Sequence, residues 1–260
     1  MKEKIIIIGA GISGLAAAYF LKKPYEVLEE KSYAGGLCAS FYEDGFVFDC
    51  SGHFIHVKDE EIKKTIEKLT GGFCKIDRNA AIYAKNKFIP YPFQANLYYL
   101  DDKTKKECVN GILKRKDVKI SASMPFLRWS EAMFGQGITK YFMKPYNRKL
   151  WDYDLNKMTT EWTGEFVPKP DAEIIVKAAY SKNKKRYDGY NSVFYYPKVN
   201  GCGALIDGLT KEVKVNLNSK TQKIDIQNKI ILCSSGKTYK YNRIVSTQAL
   251  PEFNECSLKC

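Results

Sequence analysis

Residues 51–57 read SGHFIHV and hold both histidines of the 260-residue chain, His53 and His56. Two imidazoles three positions apart suggest a metal site, a catalytic pair or chance. Zinc needs clustered ligands. The nearest cysteine, Cys50, has no second cysteine pair to support it, and the eight cysteines contain no CxxC. The pattern therefore favours no metal. A second stretch able to do chemistry stands upstream. Gly9-Ala10-Gly11-Ile12-Ser13-Gly14 is a complete GxGxxG, and Glu29 follows twenty positions after Gly9. That spacing suits a dinucleotide: glycines and a helix N-terminus for the pyrophosphate, an acid for the ribose.

These residues need particular elements around them. Ile5 to Ile8 are four β-branched residues in a row and read as a strand buried on both faces, as in a parallel sheet. Leu15 to Lys23 reads as a helix stopped by Pro24, and Glu26-Val27-Leu28-Glu29 as a second strand ending in the acid. Gly9 permits the tight turn. Gly11 lets backbone N–H groups approach a pyrophosphate. Gly14 lets helix and strand pack closely, and the helix N-terminus offers partial positive charge. The N-terminus also imitates a signal peptide or a membrane span. As a span it is broken by glycine and barely long enough, and a signal peptide has no reason to be followed by a correctly spaced strand and acid.

Composition sets the outer limits. A hydrophobic content of 45% supports one large domain or two small ones. The net charge of +13 favours anionic partners without choosing among them. No nucleic-acid motif accompanies the basic residues, so nucleic acid ranks last. Scattered cysteines in a chain of this length read as free thiols in a reducing compartment, hence a cytoplasmic protein with no transmembrane segment.

Beyond the spacing, a family resemblance enters at EEKSYAGGLCAS, where Gly35-Gly36 follows the acid. This resembles the FAD-binding start of the amine-oxidase superfamily. DGFVFDCSGHFIH is similar to the matching stretch of UDP-galactopyranose mutases and their protoporphyrinogen-oxidase-like relatives. So are IPYPFQ, the long block FGQGITKYFMKPYNRKLWDYDLNKMTTEWTGEFVPKP over 134–170, YNSVFYYPKVNGCGAL over 190–205, and a returning strand pair over 222–250. The resemblance implies FAD as cofactor. Gly9, Gly11, Ser13, Gly14, Glu29, Glu30, Gly35, Gly36 and Leu37 would hold the dinucleotide, Thr221 would lie near the adenine, and His53 and Phe54 would lie beside the flavin. His53, Tyr190 and Asn191 would be catalytic cleft residues. In a mutase the reduced flavin N5 attacks the anomeric carbon, so the protein supplies position and electrostatics.

The implied architecture is α/β: a Rossmann-like FAD-binding domain, split in sequence, with an inserted α+β substrate domain. Its first part is 1–78, the substrate domain 79–194 and the returning part 195–260. The middle should hold a hairpin turning at Lys85-Asn86-Lys87, then helices from about 105 to 165. The charge run at 181–186 reads as a solvated loop, and most of the many aromatic residues as packing. Two departures stand out. Family members continue well past 245–251, which implies a shortened chain, or one completed in trans, that holds FAD loosely. Mutases tend to carry arginine after W-x-G-E, where this chain has Phe166, so a grip on substrate pyrophosphate is lost. The leading reading is an FAD enzyme acting on a small molecule such as a UDP-sugar, compatible with a homo-oligomer. The alternatives are an amine-oxidase or protoporphyrinogen-oxidase-like oxidoreductase, and an inactive nucleotide-binding fragment.

Overall fold

The computed structural model describes residues 4–115, 118–121, 123–164, 167, 170–182, 192–255 and 257–259. In chain order the elements are β1 (Ile5–Ile8), α1 (Ile12–Phe20), β2 (Tyr25–Leu28), β3 (Ser40–Glu43), β4 (Phe46–Asp49), α2 (Glu60–Thr70), β5 (Phe73–Asp77), β6 (Ala81–Ala84) and β7 (Lys87–Pro90). There follow α3 (Asp102–Leu113), α4 (Phe126–Ile138), a π-helical turn over Thr139–Met143, α5 (Lys144–Trp151), α6 (Ala172–Tyr180), β8 (Val193–Pro197) and α7 (Gly203–Glu212). The last are β9 (Val215–Asn216), β10 (Thr221–Asp225), β11 (Ile230–Cys233), β12 (Thr238–Lys240), β13 (Arg243–Ser246), α8 (Leu250–Glu255) and β14 (Ser257–Lys259). Backbone contacts divide the chain into Met1–Ile76 with Val193–Cys260, and Asp77–Ser192.

The first unit is built on a parallel sheet of order β13-β1-β2-β9. All four isoleucines of β1 are buried, and their side chains alternate between two cores. Ile5 and Ile7 pack with Leu15 and Ala18 of α1 and with Leu205, Ile206 and Leu209 of α7. Ile6 and Ile8 pack with Ile224, Ile231 and Tyr239, which come from the second sheet, β12-β11-β10-β14. A strand covered on both faces is what a continuous β-branched run predicts, and the α/β, Rossmann-like reading holds. The expected strand pair over 222–250 is larger than supposed. It is a meander of β10, β11 and β12 followed by β13, which returns to lie parallel to β1 with Ile6 opposite Ile244.

Helix α1 begins and ends earlier than its sequence suggests. Gly11 is its N-cap, so Ile12 and Ser13 are already helical. The chain leaves the helix at Leu21, which is extended at φ −78° and ψ 122°. Pro24 is therefore not the stop; it sits just before β2.

The second unit pairs β6 with β7 through Lys85 and Asn86, both at positive φ, as a tight hairpin requires. Its core gathers Phe93, Leu97, Ile112, Phe126, Phe134 and Ile138. Trp162 stacks near Phe126 at 5.4 Å and meets Trp151 edge-on at 5.2 Å, so these aromatic residues serve packing. Helix α6 is additional to the sequence expectation. Asp171 caps it, accepting from Glu173 N and Ile174 N. No described helix is long and apolar enough to cross a membrane.

Candidate cofactor site

The turn between β1 and α1 opens on a cavity of about 490 Å³ in the first unit. Gly9 stands at φ +96°, a conformation only glycine adopts without strain. Thr247, just after β13, donates its hydroxyl to Ile8 O at 3.0 Å and to Gly9 O at 3.3 Å, locking the turn from behind. Gly14 faces inward: a Cβ there would lie 2.0 Å from Gly9 O. Gly11 faces the cavity, and a Cβ there would meet no heavy atom within 4 Å. The three glycines thus serve turn, approach and packing separately. The α1 N-terminus has neither a side-chain cap nor an acid in its first turn. Its N–H groups and positive dipole end are left to a ligand anion.

Glu29 is buried at 8% exposure and held from several directions. Its Oε2 accepts from Ala10 N at 2.8 Å and its Oε1 from Lys31 N at 3.0 Å. Its backbone N–H donates to Asn216 O and its carbonyl accepts from Ser219 N. A carboxylate has about four lone-pair sites, so both oxygens can still accept from a ribose diol. Glu29→Ala is expected to do two things at once. It removes the ribose acceptor and strands two N–H groups, at about 1.5–3 kcal/mol per charge-assisted bond. Both the FAD dissociation constant and the melting temperature should worsen, and Glu29→Gln, which keeps one acceptor oxygen, should fall between. FAD titration and thermal melts check this.

The Gly35-Gly36 turn closes the cavity. Gly35 N donates to Ala10 O at 2.8 Å, and Gly35 bridges Gly11. Gly9, Gly11, Ser13, Glu29, Glu30, Gly35, Gly36, Leu37, His53 and Thr221 all line the cavity. Gly14 does not; it packs behind the turn. Phe54 does not either: it is 49% exposed, with its ring 4.2 Å from that of Phe194. Tyr190, Asn191 and Phe166 lie outside the described residues. The other charged groups lining the cavity are Lys31 and Glu252, so the walls carry no excess of positive charge. A phosphate here relies on backbone N–H groups and the helix dipole.

His53 reaches the cavity from the loop after β4. Its Nδ1 donates to Ser51 O at 2.9 Å, which leaves Nε2 of the neutral ring as an acceptor. His56 is exposed and lies edge-on to Phe194, with ring centres 6.4 Å apart. Among the described residues no group of three or more His, Cys, Asp and Glu could hold a metal ion.

Sequence reasoning missed the residue that fixes this loop. Asp49 accepts from Ser40 Oγ at 2.6 Å, from the Tyr196 hydroxyl at 2.6 Å and from Cys202 N at 2.9 Å. Cys202 Sγ in turn donates to His53 O at 3.0 Å. Asp49 thereby ties the His53 loop to the start of α7. Burial alone would raise its pKa, but the bonds from Ser40, Tyr196 and Cys202 outweigh burial and hold the carboxyl below its ordinary range. A depressed folded value contributes stability above the unfolded pKa of about 3.9, lost as pH falls through the folded value. The melting temperature should therefore fall as the medium is acidified below about pH 4. Asp49→Asn should melt lower at neutral pH and lack that part of the acid dependence. Melts across pH test it. Burial, then Asp49, pushes the Cys202 thiol up to about 12, so it is a weak nucleophile.

Gln248, like Thr247, is a further cavity residue that sequence reasoning missed. Its Oε1 is a buried acceptor with no hydrogen-bond partner among the described residues, in a residue lining the cavity. An orphaned acceptor, an open face at Gly11 and an uncapped helix start together fit a ligand carrying hydroxyls and phosphate. The residues present thus fit the dinucleotide.

Comparison with known proteins agrees with this geometry. The family described as NAD(P)-binding Rossmann-like domain matches residues 7–69. An inactive all-trans-retinol 13,14-reductase of Danio rerio is 41% identical over 73 residues, 26% of this chain and 12% of that protein. A coproporphyrinogen III oxidase of Staphylococcus aureus is 33% identical over 101 residues, 35% of this chain and 22% of that protein. The solved structure of reduced UDP-galactopyranose mutase superposes with a TM-score of 0.88 at 28% identity. It covers 99% of this chain, which spans 58% of the mutase chain. FAD is the cofactor that these comparisons support for the cavity. The chain is similar throughout its length to the Rossmann-like flavoprotein fold of UDP-galactopyranose mutase, as its motifs imply.

Proposed function

We propose that the chain binds FAD in the β1–α1 cavity and belongs to an enzyme that acts on a small molecule through the flavin. The observation that carries this reading is the convergence of Gly11, the uncapped start of α1, Glu29, the Gly35-Gly36 turn and His53 on one cavity. When bound, FAD supplies the redox or nucleophilic chemistry. The protein's own parts are positional. Gly9, Gly11 and Ser13 admit the pyrophosphate to the helix N-terminus, Glu29 grips the ribose, with Glu30 beside it, and Thr221 sits toward the adenine. Gly35, Gly36 and Leu37 close over the cofactor. His53 Nε2 offers a proton acceptor toward the flavin end. Residues 1–78 and 195–260 form the cofactor domain, and 79–194 the substrate domain. The substrate class we favour is a UDP-sugar, because the mutase superposes over nearly all of this chain. A cytoplasmic setting and a homo-oligomer fit the same reading.

A second reading is oxidoreduction of a less polar substrate. It is supported by the curated relatives, whose names are those of a reductase and an oxidase. One pair of assays separates the two. Protein reconstituted with FAD and reduced with dithionite is given UDP-galactopyranose, and ring-isomer conversion is followed. The oxidised form is mixed with a candidate reductant, and bleaching of the flavin absorbance is followed. Isomer conversion that His53→Ala slows supports the mutase reading. Bleaching without conversion supports the oxidoreductase. Neither reaction, with FAD bound, would leave cofactor binding without turnover and overturn the proposed activity.

A further inference from the structure

His53 reaches the cofactor cavity from a short loop that has few ties of its own. The ends of the loop are pinned. Cys50 N donates to Ala39 O at 2.9 Å, and Ile55 exchanges both backbone bonds with Tyr195, at 2.9 and 3.0 Å. Between them, among the described residues, one group from elsewhere in the chain bonds the backbone of 51–54. It is Cys202, whose Sγ donates to His53 O at 3.0 Å. Gly52 brings no side chain to pack, and a Cβ there would meet nothing within 4 Å. The loop therefore takes its shape from that thiol bond and from the bond of the His53 ring to Ser51 O.

The turn that presents the thiol is built around its neighbours. A Cβ at Gly201 would collide with the Asp49 carboxylate, and one at Gly203 with Ser40 Oγ, so glycine stands on both sides of Cys202. The same two groups hold the turn in place: Asp49 accepts from Cys202 N, and Ser40 Oγ accepts from Gly203 N at 2.7 Å. Asp49 also lies within reach of the thiol, but it already accepts from Ser40, Tyr196 and Cys202 N. His53 O has no other donor among the described residues, so the single S–H is left for it. Burial, then Asp49, keeps the thiol protonated, and hence a donor, throughout the neutral range.

The consequence falls on the His53 ring. Ser51 O can only accept, so its bond to Nδ1 requires the proton there, although a free imidazole favours the proton on Nε2. We propose that Asp49, Ser40 and Cys202 form a positioning network for His53. Through the Cys202 thiol they hold residues 51–54 in the shape in which Ser51 O captures Nδ1–H, so that Nε2 stays an acceptor at the cofactor cavity. What Nε2 accepts from rests on the FAD reading; the positioning of the ring does not.

With two histidines in the chain and His56 exposed, His56 serves as the internal reference for the test. Long-range 1H–15N NMR of the nucleotide-free protein at about pH 8, where an ordinary imidazole is neutral, reads the tautomer of each ring. Wild-type His53 is expected as the Nδ1–H form and His56 as the free-imidazole mixture. Cys202→Ala should remove Nδ1–H as the dominant form of His53, Cys202→Ser should restore it, and His56 should not move in either. A thiol that merely packs would lower the melt of Cys202→Ala and leave the tautomer alone. Added FAD should then shift His53 Nε2 in the wild type and in Cys202→Ser, and less in Cys202→Ala. If Cys202→Ala fails to fold, Cys202→Val keeps the volume, removes the donor and takes its place, and the wild-type tautomer decides by itself. An Nε2–H ring in the wild type, a tautomer indifferent to loss of the thiol, or an equal shift at His56 would overturn the network. Wild-type protein that binds no FAD would overturn the cofactor reading and leave the tautomer result standing.

Discussion

Gly11→Val is expected to abolish measurable FAD binding while leaving the protein as stable as the wild type. The two halves come from one observation. A Cβ at position 11 meets no protein atom within 4 Å, and the backbone there, at φ −68° and ψ 176°, is open to any L-residue. The fold therefore has no objection to a side chain. The cofactor has, because the isopropyl group would stand where the pyrophosphate must reach the start of α1. Loss of one or two hydrogen bonds to a charged group is worth about 1.5–3 kcal/mol each, or about 10- to 100-fold in affinity per bond. A fluorescence titration beside a thermal melt reads both quantities. If the variant binds FAD as the wild type does, the glycine is a turn element and nothing more.

Gly14→Ala should show the opposite pattern. Its Cβ would sit 2.0 Å from Gly9 O and 3.1 Å from Gly9 C, both backbone atoms that cannot turn aside. Relief requires α1 to move off β1, which opens the core of Leu15 and Ala18 against Ile5 and Ile7. Overpacking of this kind costs about 3 kcal/mol or more. For a chain of this size that lowers the melting temperature by about 6–12 °C. FAD binding would fall as well, but in proportion to the folded fraction. Two neighbouring glycines of one motif are thus expected to fail in separable ways, one in binding and one in folding. If Gly14→Ala melted with the wild type, the close contact of helix and strand would be refuted.

How much of this was legible in the sequence depended on the range of the interaction. The run Ile5–Ile8, the three glycines and Glu29 sit within one βαβ unit, and local spacing alone assigns them. The ends of α1 were misplaced for a local reason too. Gly11 takes the N-cap position although side-chain caps are the commoner signal, and Leu21 turns extended three residues before Pro24 could act. Helix α6 is signalled by Asp171 ahead of an apolar periodic run, a capping cue weaker than the neighbouring family motif. Asp49 is different. Its partners are Ser40, Tyr196 and Cys202, the last two about 150 positions away, and no spacing rule joins them. Thr247 and Gln248 belong to the site because β13 pairs beside β1, a fact of topology that the residues after a strand do not announce by themselves.

The central claim is that the β1–α1 cavity holds FAD. Titrating FAD into the purified chain, with ADP run in parallel and flavin fluorescence or calorimetry as the readout, tests it most directly. The account predicts saturation at one FAD per chain, competition by ADP through the shared ribose and pyrophosphate contacts, and loss of both signals in Gly11→Val. Saturable binding that Gly11→Val leaves intact, or no binding of either nucleotide to folded protein, would contradict it.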